Sequence, residues 1–70
     1  MLMASEWTKV TADQVQPGDR VKLPSGEELT ATRIEESFLG RAEMLALIED
    51  TSERWYKRPL PISTEVEVSR

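Results

Sequence analysis

Cysteine and histidine are both absent from this 70-residue chain. Their absence excludes disulfides, thiolate nucleophiles, Cys/His zinc sites and imidazole acid–base catalysis. Without an imidazole, Ser5, Ser25, Ser37, Ser52, Ser63 and Ser69 lack the usual base that activates a serine. Glycine is scarce, and Gly18, Gly26 and Gly40 are too dispersed to build a phosphate-cradling loop. Long apolar runs are missing as well. The longest, Met44 to Ile48, falls far short of the roughly 20 residues that a membrane span needs. Met1-Leu2-Met3-Ala4 has neither the basic flank nor the apolar stretch of a secretory leader. We therefore expect no catalytic residue, no cofactor, no metal and no membrane span. The lack of cysteine fits a reducing, cytoplasmic setting.

What is present reads as an ordinary folded domain. Hydrophobic residues make up 39% of the chain and charged residues 31%, too apolar a balance for wholesale disorder. Nine Lys and Arg against 13 Asp and Glu give a net charge of −4, which opposes indiscriminate binding to nucleic acid or anionic lipid. A chain this short buries only about 60% of its unfolded surface, so its stability is small or helped by a partner. One domain is expected over residues 6–68, with residues 1–5 as a flexible N-terminus.

Turn chemistry divides the chain into short strands. Glu6-Trp7-Thr8-Lys9-Val10 is the first. Thr11-Ala12-Asp13-Gln14 follows as a Thr-x-x-Gln capping pattern for a single helical turn. Val15 then points inward, and Pro17-Gly18-Asp19 turns the chain. A second strand, Asp19 to Leu23, enters a hairpin at Pro24-Ser25-Gly26, where glycine supplies the left-handed conformation. Closure there sets Lys22 opposite Glu28 and Val21 opposite Leu29, matching charge with charge and apolar with apolar. The third strand runs to about Glu35. Leu29 and Ala31 alternate out of phase with Ile34, so a bulge is expected near Thr32 or Arg33. Glu35 to Ala42 reads as a loop or crossover. Near the end, Pro59-Leu60-Pro61 is expected to end the element before it, and Glu65-Val66-Glu67-Val68 alternates as a last half-buried strand.

The segment Glu43 to Arg58 has two readings. As an amphipathic helix over about 42–57 it groups Met44, Leu45, Leu47, Ile48 and Trp55 on one face, which would make the fold α+β. As a hairpin turning at Asp50-Thr51-Ser52-Glu53 it pairs Glu49 with Arg54, Ile48 with Trp55 and Leu47 with Tyr56. Thr51-Ser52 fits a helix interior poorly and a turn well, so we favour the hairpin.

The resulting order of short strands, tight hairpins and a brief turn before a terminal strand resembles an SH3-like β-barrel. Val15-Gln16-Pro17-Gly18-Asp19-Arg20-Val21 is similar to the Pro-Gly-Asp-x-Val lead-in of many small bacterial SH3-like proteins, and to Hint-type and KOW-like segments. The resemblance spans residues 6–68 and implies an all-β barrel of five or six antiparallel strands with the first and last paired. It transfers no catalytic residue. Such barrels bind peptides, bind nucleic acid or simply support a structure, so fold does not give function. A single tyrosine, Tyr56, departs from the Tyr-rich groove of a Pro-rich-peptide binder, and the negative charge departs from a KOW-like surface.

Two surfaces stand out. Met44-Leu45-Ala46-Leu47-Ile48 does not alternate as a half-exposed strand should. Either Phe38 and Leu39 help cover it, or Leu45 and Leu47, with Tyr56, form an apolar strip that a protein partner or a second copy would cover. The other surface is Arg54-Trp55-Tyr56-Lys57-Arg58, whose interleaved cations and rings suit nucleic-acid contact through Arg54, Tyr56, Lys57 and Arg58. Its alternative is a core tryptophan among solvated charges paired with Glu49 and Glu53. The doublets Glu27-Glu28, Glu35-Glu36 and Glu49-Asp50 read as solvated charge, because neighbours on a strand point to opposite faces. The expectation is a non-enzymatic binding or assembly module using a protein–protein interface, with nucleic-acid binding as the alternative.

Overall fold

A computed structural model describes residues 6–69; the N-terminal segment expected to be loose, residues 1–5, lies outside them. The fold is all-β. Seven strands follow in order: β1 (Thr8–Thr11), β2 (Arg20–Lys22), β3 (Glu28–Thr30), β4 (Arg33–Glu36), β5 (Met44–Asp50), β6 (Trp55–Pro61) and β7 (Glu65–Ser69). They form two antiparallel sheets, ordered β1-β7-β2-β3 and β4-β5-β6. These are two open sheets and not a closed barrel. The amphipathic helix considered over 42–57 does not form; that stretch is the hairpin of β5 and β6.

The first and last strands pair, with Thr8 opposite Val68 and Val10 opposite Val66. Between β1 and β2, Ala12–Gln14 makes one 3₁₀ turn, closed by the capping box of Thr11 and Gln14. The β2–β3 hairpin has the register expected from its turn, Lys22 with Glu28 and Val21 with Leu29. Gly26 in that loop has φ +95°, a conformation that penalises any side chain.

The expected third strand is two strands in different sheets, which raises the total from five or six to seven. Its change of phase falls at the corner between Thr30 and Arg33. Thr32 pins that corner: its N–H donates to the Ile48 carbonyl (2.8 Å), and its hydroxyl accepts from the Asp50 N–H (3.0 Å). The chain thus leaves one sheet and enters the other without losing backbone partners.

Alternation then fills the space between the sheets. Val21, Leu29, Leu47 and Val68 are fully buried at its centre, with Val15, Leu23, Ala31, Leu45, Leu60 and Val66 around them. Asp19 is the one buried charged residue among those described. Its carboxylate accepts the Gln16 N–H at 2.9 Å, and its carbonyl accepts the Ala31 N–H at 2.9 Å. The Gly18 N–H donates to the Ala31 carbonyl at 2.7 Å, so the Pro17-Gly18 turn is held to the residue that follows β3. Asp19→Ala leaves the part-buried Gln16 N–H without its acceptor. A loss of about 1–3 kcal/mol is expected, read as a lower urea midpoint with unchanged slope.

Pro59-Leu60-Pro61 does not end the element before it: β6 runs through all three residues, as an edge strand where proline is tolerated. Proline has no N–H, so these positions hinder extension of the sheet by another strand. Among the described residues, no helix is long and apolar enough to cross a membrane.

Candidate functional site

The β5–β6 hairpin decides where the expected surfaces lie. Its register is Asp50–Trp55, Glu49–Tyr56, Ile48–Lys57 and Leu47–Arg58, two residues longer on β6 than expected. Thr51 is the cause. Its N–H donates to the Arg54 carbonyl (2.9 Å), and its hydroxyl accepts from the N–H groups of Glu53 (3.3 Å) and Arg54 (3.0 Å). Thr51 to Arg54 is therefore the loop, and pairing starts outside it. A two-residue slip preserves faces, because side chains alternate with period two.

Leu45 and Leu47 face the interior, 3% and 0% exposed, so they are core residues and not an exposed apolar strip. Tyr56 packs half-buried against the same core, and its hydroxyl donates to Glu27 at 3.1 Å. The opposite face of β5 is also sealed, with Ala46 at 0% and Ile48 at 1% exposure. On that face Lys57 from β6 and Glu35 from β4 meet at 2.9 Å. Since β5 lies between those strands, this ion pair spans its outer side. The Lys57 ammonium also sits 4.8 Å from the Phe38 ring centre. The non-alternating run is therefore covered within the chain: on one face by core, on the other by long charged side chains whose stems are apolar. Leu39 takes no part, being 77% exposed.

The cationic cluster divides between two faces: Arg54, Tyr56 and Arg58 lie together, with Arg58 and the Tyr56 hydroxyl sharing Glu27, whereas Lys57 is on the other face. Trp55 and Lys57 share the outer face, and Trp55 is 60% exposed, so it is no core tryptophan. Every cation of the cluster already holds a carboxylate: Arg54 with Glu49 (3.6 Å), Lys57 with Glu35 (2.9 Å) and Arg58 with Glu27 (2.9 Å). Arg54 also lies over the Tyr56 ring, at 5.0 Å, where a base would otherwise stack. Two further arginines are similarly engaged, Arg33 with Asp50 at 3.4 Å and Arg41 with Glu43 at 2.7 Å. The Arg41 guanidinium holds the Glu43 carboxyl below its usual range. Whatever stability this exposed pair adds is present above the ordinary carboxylate pKa and fades as pH falls through the lowered one.

The acidic doublets diverge as alternation requires. Glu27 meets Arg58 while Glu28 meets Arg20, and Glu35 meets Lys57 while Glu36 turns to the other side of β4. Among the described residues, no three Asp or Glu carboxylates gather in a way that could hold a metal ion.

Glu36 leads to a site that the sequence did not single out. Beside it lies a groove of about 350 Å³ between the two sheets' connecting loops. The segment joining β1 to β2 supplies Asp13, Val15 and Pro17; β4 and its following residue supply Ile34, Glu36 and Ser37. Ala42, Leu45 and Ile62 complete it. The floor is apolar, since Val15 and Leu45 belong to the core and Ile34 and Ile62 pack on it. The rim is acidic. Asp13 is tied to the Thr11 hydroxyl, and Glu36 is exposed at the end of its strand. Ser37, on the wall, has φ +53°, and Leu39 beyond it has φ +57°. Backbone held in that region costs non-glycine residues free energy and occurs often where a loop is shaped for contact. Leu45, expected at an interface, does line this groove, but as part of its floor.

These residues come from four separated segments, and each has a local explanation in the sequence: Asp13 as part of a cap, Glu36 as half of a doublet, Val15 as core. Only their convergence marks a site. No protein-family model, no curated protein and no solved structure matches the chain.

Proposed function

We propose that the chain is a small SH3-like binding module, acting without catalysis, that takes a segment of a partner protein in the groove between Val15, Ile34, Ala42 and Ile62. The observation that carries this reading is a concave apolar floor, continuous with the core, opening to solvent under an acidic rim. A groove of about 350 Å³ is at the small end of ligand sites, which span roughly 300–1,000 Å³, and suits a few side chains of a peptide. Its walls are anchored by sheet strands at Ile34 and Leu45, so little ordering is needed on binding. The partner is external to the core strand: Leu45 and Leu47 already have their intramolecular cover.

Panning a random peptide library against the wild type and Ala42→Trp tests the reading. Ala42 is exposed, so the indole fills the groove without disturbing the core. Binders should be enriched on the wild type, and their affinity should fall at least tenfold on Ala42→Trp with its circular dichroism spectrum unchanged. Equal binding to both proteins contradicts the groove as the contact surface.

A further inference from the structure

Resting on that reading, the charge distribution around the groove identifies its partner more closely. All five described arginines are committed to carboxylates of this chain. Of the described lysines, Lys57 is paired with Glu35, Lys22 lies 4.6 Å from the Trp7 ring centre, and Lys9 and Lys22 line a different depression beside Glu65 and Glu67. No basic residue lines the groove with the apolar floor, whereas Asp13 and Glu36 both do. Neither carboxylate has a cationic partner among the described residues. Part of the chain's net charge of −4 therefore stands without a cationic partner at the mouth of a cleft whose lining is both polar and apolar.

We infer that the groove receives a partner segment in which a lysine or arginine lies next to an apolar side chain. The apolar side chain packs on Ile34 and Ile62, and the cation meets Asp13 and Glu36. Two considerations favour this occupant. A cation at the mouth offsets the charge of the two carboxylates that line one groove. The aliphatic stem of lysine or arginine also covers apolar surface as its head reaches the rim. Nucleic acid, being anionic, is opposed by the same rim.

Peptides selected by panning test this directly. The enriched set should carry lysine or arginine beside an apolar residue. The best of them should bind Asp13→Asn/Glu36→Gln about tenfold or more weakly than the wild type, and should weaken as salt is raised. Replacing its cationic residue by norleucine should produce a loss of similar size on the wild type and little further loss on the double variant. Neutral peptides dominating the selection, or binding to the double variant within twofold of wild type, would overturn the inference. In that event, continued sensitivity to Ala42→Trp keeps the groove as the binding surface, and insensitivity removes both.

Discussion

Leu47→Ala should lower the unfolding free energy by about 2–5 kcal/mol, the range for deleting a fully buried leucine whose surroundings relax only in part. Leu47 is 0% exposed at the middle of β5, facing Val21, Leu29 and Val68 across the core. A domain of this length holds roughly 4–10 kcal/mol in all, at about 0.05–0.15 kcal/mol per residue. The truncation thus removes a large share of the total. Leu47→Glu goes further, because a carboxylate there has no partner and no water, and that variant should be unfolded by circular dichroism at room temperature. If β5 instead presented Leu47 to a partner, Leu47→Glu would fold normally and only its association would change. Urea unfolding followed by tryptophan fluorescence, together with the spectrum of Leu47→Glu, separates the two outcomes.

Ile48→Ala should also be costly, although Ile48 points away from the main core. Its 1% exposure means that the outer face of the β4-β5-β6 sheet is closed over it. Its cross-strand neighbours are Arg33 and Lys57, the latter joined to Glu35 and lying near the Phe38 ring, and such flexible side chains collapse into a gap better than a packed interior does. The expected loss therefore lies near the low end for isoleucine truncation, about 2 kcal/mol. Leu39→Ala, at a site 77% exposed, should change stability by no more than about 0.5 kcal/mol. Urea midpoints of the two variants make the comparison. An Ile48→Ala midpoint indistinguishable from that of Leu39→Ala would mean that the outer face is not sealed.

The two leucine and isoleucine variants bear on what was readable beforehand. A continuous apolar run signals burial on both faces, but not who provides the second cover. Here the cover is Lys57 and Glu35, residues that hydropathy assigns to solvent, acting through their stems and through a pairing across β5 that depends on register. Local chemistry was readable wherever a turn imposes it. Thr11 and Gln14 closed their capping box, Pro24-Ser25-Gly26 set Val21 against Leu29, and Glu65 to Val68 alternated into the sheet beside β1. The β5–β6 register slipped by two because Thr51 can close a turn with both its backbone and its hydroxyl, an option that pair-matching of side chains does not weigh. The core tryptophan offered as the alternative reading of residues 54–58 is not found: the parity fixed by Tyr56 and Leu60 facing inward leaves Trp55 outside. The groove was illegible for a different reason: Asp13, Ile34, Glu36 and Ile62 meet only after the chain has changed sheets at Thr32 and doubled back through β5 and β6.

Amide shift mapping tests binding at this groove most directly. The selected cationic peptide is titrated into ¹⁵N-labelled protein, and perturbed amides are placed on the fold. Shifts should concentrate at Asp13, Val15, Ile34, Ser37, Ala42 and Ile62, with the Arg54 to Arg58 stretch unmoved. Shifts centred instead on Trp55, Lys57 and their neighbours on the outer face would contradict it.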